Sequence, residues 1–438
     1  MKDKTFTNKD TLAIGLMMFA LFLGAGNLIF PPALGQAAGS SVWVAALGFL
    51  VTGVGLPILA IIAIAKSGGD LQKVSTRVSP LFGVVFPLIV YLAIGPLFGI
   101  PRTGSVAYEI GLVPYLNEMS APSLFLFTLL FFGTSYWLSL NPAKLVGRVG
   151  KILTPILLAV LSIMAFTGIL RPLGSPESPT GGYEQFAFFK GFQEGYFTMD
   201  AIAALVFGII IITRMKERGV TSEEETTKKA IHIGLIAGVG LILVYFSLAF
   251  LGASSVSSIG YLDNGGAILT GVANELLGVT GQILLSIVIT IACLTTSVGL
   301  ISAFGEYTDR TIKRLPYSLS TAIITLFSLL MANMGLTQLL QFSLPMLIMI
   351  YPVAIVLIVL TIFKDLFNES SAVFKGAVAG AAIISIPDGL SVTTWSGDIF
   401  HPFMAILPLS ALGIAWIIPA VIGGCIGGII TKKHKTAH

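Results

Sequence analysis

The chain has 438 residues, of which 55% are hydrophobic and only 11% charged, with a mean hydropathy of +0.93. Soluble globular proteins carry about 25% charged residues, so the composition excludes a water-soluble domain and indicates an all-α polytopic membrane protein. The net charge of +4 arises from basic residues scattered through membrane-flanking loops and carries no nucleic-acid signature.

About twelve spans are predicted, each near the ~20 residues needed to cross the hydrocarbon core. They fall at 12–34, 42–65, 81–110, 123–140, 153–170, 188–213, 231–251, 279–304, 318–334, 337–363, 372–386 and 403–430. The first apolar segment, about 25 residues long, is a span rather than a cleavable leader. Inside it lies Leu23-Gly24-Ala25-Gly26-Asn27-Leu28-Ile29-Phe30-Pro31-Pro32, where a helix should be continuous. Glycine eases unusual backbone angles, and proline removes amide donors. Such a break survives at membrane depth only where it is buried in protein or lines a cavity. The third span is long and must tilt or bend.

The sixth span reads Gly195-Tyr196-Phe197-Thr198-Met199-Asp200-Ala201, again small and polar near mid-membrane. The two interrupted spans are five apart, and a five-helix unit, with its odd number of crossings, must be inverted when it repeats in the membrane. Interrupted spans at matching positions are the best sequence pointer to a transporter site. Between spans, 171–187 reads as an external loop and 214–230, with Glu223-Glu224-Glu225, as a cytoplasmic hairpin. In 252–278 a short helix over 267–277 would lie against the outer face.

Lysine and arginine set the orientation. With the N terminus in the cytoplasm, Lys2, Lys4, Lys9, Lys66, Lys73, Arg77, Lys144, Arg148, Lys151, Arg214, Lys216, Arg218, Lys228, Lys229, Arg310, Lys313, Arg314, Lys364, Lys375, Lys432, Lys433 and Lys435 all fall inside. Of the 25 Lys+Arg, only Arg102, Arg171 and Lys190 do not. Both termini are therefore placed in the cytoplasm. The two cysteines, Cys293 and Cys425, lie in apolar runs without metal-site spacing. No Walker A loop or nucleophile elbow is present, which argues against an enzyme or a self-contained ATP-driven pump.

Three constellations carry chemistry. At Gly24-Ala25-Gly26-Asn27 an unwound backbone would present amides at the start of a half-helix, a positive dipole end suited to a carboxylate. Exposed carbonyls at the other half-helix end suit a small cation. Close helix packing through small residues is the competing explanation. Asp200 is the main buried carboxylate; an intramembrane charge usually has a role. It can bind a cation, hold a substrate ammonium, carry a proton, or cap the helix restarting at Ala201. In the eighth span, the hydroxyls of Thr295 and Thr296 lie beside the carbonyl of Ala292 one turn earlier. They form an oxygen-rich patch of the kind hard cations prefer. Arg102, in Gly99-Ile100-Pro101-Arg102-Thr103, either snorkels or pairs with Glu109, a structural or gating pair being favoured over a substrate ligand.

The Gly24-Ala25-Gly26-Asn27-Leu28-Ile29-Phe30-Pro31-Pro32 run, Gly99-Ile100-Pro101-Arg102-Thr103, the Thr198-Met199-Asp200 segment and the 292–299 stretch together resemble the bacterial branched-chain amino acid:cation symporters of the BrnQ (LIVCS) type. The resemblance covers essentially the whole chain. It implies a LeuT-like fold: a 5+5 inverted repeat with helices 1 and 6 discontinuous, followed by two additional helices. The first repeat would cover 1–170, the second 188–365, and the additional helices with a cytoplasmic tail 366–438. It implies import of leucine, isoleucine and valine through the bacterial cell membrane by symport with Na⁺. An H⁺-coupled carrier using Asp200 is the alternative. Residues implied at the substrate are Gly24, Ala25, Gly26, Asn27, Tyr196, Phe197, Thr198 and Asp200. Those implied at Na⁺ are Ala20, Leu23, Ala292, Thr295 and Thr296. No cofactor is implied beyond the coupling ion, and no nucleic-acid partner.

Overall fold

The structure, a computed structural model, describes residues 6–116, 118, 120–140, 142–312, 315–393 and 396–436, without the side chains of 142–154, 310 and 432–436. Of the basic residues that set the orientation, Lys2, Lys4, Lys313 and Arg314 lie outside the described residues. So do the side chains of Lys144, Arg148, Lys151, Arg310, Lys432, Lys433 and Lys435.

Every regular element among the described residues is a helix. In order the helices are α1 (Asn8–Phe22), α2 (Ala25–Ala38), α3 (Val42–Leu50), α4 (Leu56–Ala65), α5 (Leu71–Thr76), α6 (Phe82–Leu92), α7 (Gly99–Gly111), α8 (Ala121–Ser139) and α9 (Pro142–Leu170). There follow α10 (Tyr183–Glu194), α11 (Asp200–Lys216), α12 (Glu223–Ile259), α13 (Gly265–Thr311), α14 (Tyr317–Ala332), α15 (Leu336–Ile362), α16 (Ser371–Ser391), α17 (Gly397–Ile406) and α18 (Ile417–Thr436). By length and composition, seven helices among the described residues can cross a membrane. An eighth comes from α10 and α11 taken as one span bent by 43°. Twelve hydropathy spans exceed this count partly because several are broken or short.

The first and sixth spans are discontinuous, as the sequence predicts. The long third span also bends: α6 and α7 are joined through a widened turn at Ala93–Leu97, where Gly95 leaves helical dihedrals. The interruption in the first span is shorter than its composition suggests. Pro31 and Pro32 sit inside α2, and the break is confined to Leu23 and Gly24. The two prolines, lacking N–H groups, leave the carbonyls of Asn27 and Leu28 without their helical donors. Here α2 and α12 approach backbone to backbone. A Cβ on Gly252 would stand 2.1 Å from the Pro32 carbonyl, and one on Gly35 2.1 Å from that of Ala249.

Two loop expectations gain definite bounds. The expected hairpin over 214–230 is the short turn from α11 to α12, and the acidic run Glu223-Glu224-Glu225 opens α12. Ser222 caps it by accepting from the Glu225 amide, and carboxylates suit a helix N-terminus. The expected short helix before the eighth span exists as the first part of α13, turned at Gly278 with φ 65°. The largest correction is at the twelfth span, predicted over 403–430. Its first part belongs to α17 and an irregular connection, with Leu409 and Gly413 in the left-handed region. The continuous helix starts only at Ile417, because Pro408 and Gly413 end the apolar run as a helix. Span eleven, predicted over 372–386, is longer at Ser371–Ser391. Its partner is α18. A Cβ on Gly376 would lie 2.0 Å from the Gly423 carbonyl and one on Gly427 2.2 Å from that of Ala372, the close packing small residues permit between membrane helices.

Candidate functional site

At the first break, Leu23 N–H still bonds Phe19 O at 2.8 Å, but Gly24 N–H turns back to Phe22 O at 2.6 Å. The carbonyl of Ala20 therefore loses its helical donor. Gly24 is extended (φ −101°, ψ −171°) and offers no side-chain cap. The amides of Ala25, Gly26 and Asn27 are thus orphan donors at a positive helix end.

At the second break, Gly195–Thr198 forms a tight 3₁₀ turn and Met199 closes it in the left-handed region at φ 68°. Thr198 donates to Gly195 O at 2.9 Å, and its hydroxyl accepts from Asp200 N–H at 3.3 Å. Gly195 is required by space, since a Cβ there would lie 2.0 Å from Thr52 Oγ1 in the second span.

The breaks meet through side chains. Asn27 Nδ2 donates to Asp200 Oδ2 at 2.6 Å, and Tyr245 OH from α12 donates to the same oxygen at 3.0 Å. Asn27 also donates to Tyr245 OH. Asn27 and Asp200 are 1% and 4% exposed. Asp200 therefore does not cap α11 with its side chain. It is the first residue of the helix, and its carboxylate binds the other break.

Arg102 on α7 does not pair with Glu109. Glu109 accepts instead from Asn264 Nδ2 at 3.0 Å. The Arg102 guanidinium turns inward, donating from Nη1 to Phe197 O at 2.5 Å, 5.3 Å from the centroid of the Phe30 ring. It is 3% exposed.

A cavity of about 50 Å³ lies between these elements, room for several waters. Gly24, Ala25, Gly26, Asn27, Thr198 and Asp200 line it, with Arg102, Thr296 and the apolar Leu21, Phe22, Ile94, Phe207 and Leu300. Two implied substrate residues are elsewhere. Tyr196 stacks on Tyr351 with ring centroids 4.5 Å apart, and Phe197 presents its ring to Phe30 at 5.8 Å. Neither lines the cavity.

The implied Na⁺ residues are partly gathered. Thr295 and Thr296 Oγ1 both donate to Ala292 O, at 2.8 and 3.1 Å. A Cβ on Gly24 would lie 3.6 Å from Thr296 Cγ2, so the first break touches the eighth span there. Ala20 lies in the last turn of α1 and Leu23 is the C-cap of that helix. Their carbonyls, the Ala292 carbonyl and the two hydroxyls form a donor set suited to a small hard cation. Of this set only Thr296 reaches the cavity wall.

The sequence reading missed Tyr245 and misdirected Arg102. Tyr245 is a lone hydroxyl amid an apolar run, a weak signal that helix packing explains equally well. Chemically, the cavity offers orphan amides and a guanidinium to an anionic group, a carboxylate to a cationic one, and apolar walls between.

The family described as branched-chain amino acid transport protein matches residues 7–434. The chain is 48% identical over 425 residues to the branched-chain amino acid permease BraB of Bacillus subtilis (strain 168), covering 97% of this chain and 96% of BraB. It is 41% identical over 417 residues to the branched-chain amino acid permease BrnQ of Escherichia coli (strain K12), covering 95% and 94% of the two chains. Among solved structures it is similar to Mhp1, a nucleobase-cation-symport-1 family transporter, in a closed conformation. That likeness has a TM-score of 0.62 at 14% identity and covers 96% and 93% of the chains. At that identity it establishes the LeuT-like fold and nothing of the ligand.

Proposed function

Because the chain belongs to the branched-chain amino acid transport protein family, we propose that it imports leucine, isoleucine and valine across the cell membrane by Na⁺ symport and alternating access. Both termini are then cytoplasmic. Residues 1–170 and 188–365 form the inverted repeats, and 366–438 is the addition built on the α16–α18 pair.

The observation that carries this reading is the pair of helix breaks facing one cavity, joined through Asn27, Tyr245 and Asp200. A zwitterion fits the polarity: amides at the start of α2 take the carboxylate, and Asp200 with the carbonyls of the second break takes the ammonium. The side chain rests among Leu21, Phe22, Ile94, Phe207 and Leu300. Such walls separate substrates differing by one methylene by only ~1–3 kcal/mol, so three aliphatic amino acids share the site. Na⁺ coupling is supported by the carbonyl and hydroxyl set where the end of α1 meets Thr295 and Thr296. An ion there ties the first span to the eighth, and its departure loosens that contact.

Proteoliposomes should accumulate labelled isoleucine under an inward Na⁺ gradient and not under a pH gradient alone. No uptake of any aliphatic amino acid would overturn the substrate reading. Uptake driven by a pH gradient without Na⁺ would overturn Na⁺ coupling in favour of a proton carried at Asp200.

A further inference from the structure

Arg102 holds more hydrogen-bonding capacity than its surroundings use. It is buried inside a membrane span, where a charge is costly and marks function by default. Its Nη1 serves the Phe197 carbonyl, a task a neutral donor could perform. Its Nε and Nη2 are buried and have no partner among the described residues. These two nitrogens lie along one edge of the guanidinium plane. Their N–H bonds run parallel and match the two oxygens of a carboxylate.

The position of the side chain narrows the ligand. Arg102 lines the same cavity as Gly24, Ala25 and Gly26. A Cβ on Gly26 would stand 3.0 Å from Arg102 Nη1, so the guanidinium crosses the start of α2 where the orphan amides are. Positive helix end and fixed cation therefore converge. Asp200, the one anionic residue on the cavity wall, already accepts from Asn27 and Tyr245. A cavity with one cation and one anion on its wall complements a zwitterion in a single orientation.

We propose that Arg102 is a specificity-determining binding residue that grips the substrate's carboxylate through Nε and Nη2, opposite Asp200, and so requires an α-carboxylate in every substrate. This rests on the amino-acid-carrier reading and deepens it. The same guanidinium holds the second break in place through Phe197 O, so carboxylate binding draws together the third span, the start of α2 and the turn before α11.

The test compares leucine with leucinamide, which keeps the ammonium and side chain but lacks the carboxylate. Binding of each to the purified full chain in Na⁺ is read from the rise in melting temperature with ligand concentration. In the wild type, leucine should bind about 100-fold more tightly than leucinamide, the range of charge-assisted bonds lost together. In Arg102→Gln the preference should fall to about threefold or less, because leucine weakens while leucinamide barely changes; Arg102→Lys, which keeps the charge but not the edge, should fall between. The unliganded melting temperature reports folding of each variant, and Arg102→Lys carries the test if the glutamine variant does not fold. Equal weakening of both ligands would assign Arg102 to holding Phe197 O alone and overturn the proposal. So would an unchanged preference in the variants. A wild type that binds neither ligand would overturn the amino-acid-carrier reading together with this role, whereas normal leucine binding with no effect of Arg102 would overturn the role only.

Discussion

The two breaks interrupt their spans by different means. Between α1 and α2 the chain opens with ordinary dihedrals, Gly24 being extended, so the glycine there is not required by its backbone angles. Between α10 and α11 the turn passes through Met199 at φ 68°, a region that strains a side-chain-bearing residue by roughly 1–2 kcal/mol. The first break therefore depends on space: Gly26 lets Arg102 and Thr198 approach. The second also needs space at Gly195 but depends further on bonds, with Thr198, Asp200 and Arg102 together holding a turn that its sequence does not favour. Strain held in this way clusters at functional sites. One break is open by composition and the other is kept open by its neighbours.

If this contrast is right, substitutions rank by which support they remove. Asp200→Asn should have the largest effect. It takes the charge from an oxygen on which Asn27 and Tyr245 converge, and bonds to charged groups contribute about 1.5–3 kcal/mol each. Initial isoleucine uptake at matched protein level should fall by about 100-fold; near-normal uptake would separate the two breaks. Gly26→Ala comes next. Its Cβ would sit 3.0 Å from Arg102 Nη1 and 3.2 Å from Thr198 O, forcing the two breaks apart by a few tenths of an ångström, and positioning errors of that kind reduce uptake about tenfold. Gly24→Ala should be the mildest, within about twofold, because its Cβ meets nothing nearer than Thr296 Cγ2 at 3.6 Å. Equal effects of the two alanines, in the same uptake assay, would dissolve the distinction between them.

Much of this architecture was legible in the sequence because membrane helices must satisfy their own backbone. Gly24, Gly26 and Asn27 stand out against an apolar run for that reason, and Asp200 for its charge. The extent of the first break was not legible. Pro31 and Pro32 signal interruption locally, yet α2 continues through them, packed backbone to backbone against Gly252. Arg102 was read against Glu109 because both fall in one span. The bend at Ala93–Leu97 and the return of the sixth span bring Phe197 O to it instead, a contact across 95 residues that no local pattern encodes. Tyr245 was invisible for the same reason: its partners come from the two breaks, 218 and 45 residues away. The twelfth span was misplaced because hydropathy alone ran through Pro408 and Gly413.

The central claim is that a branched-chain amino acid sits between the two breaks. Alkylation of a cysteine at Ala203, which lines the cavity one turn from Asp200, tests it most directly. A cysteine at Ser175, exposed in the connection between α9 and α10, serves as the control. With Na⁺ present and isoleucine at about ten times its half-saturating concentration, modification of Ala203→Cys should slow about tenfold, with Ser175→Cys unchanged. Modification of Ala203→Cys at the same rate with and without isoleucine, in a protein that still transports it, would contradict the account.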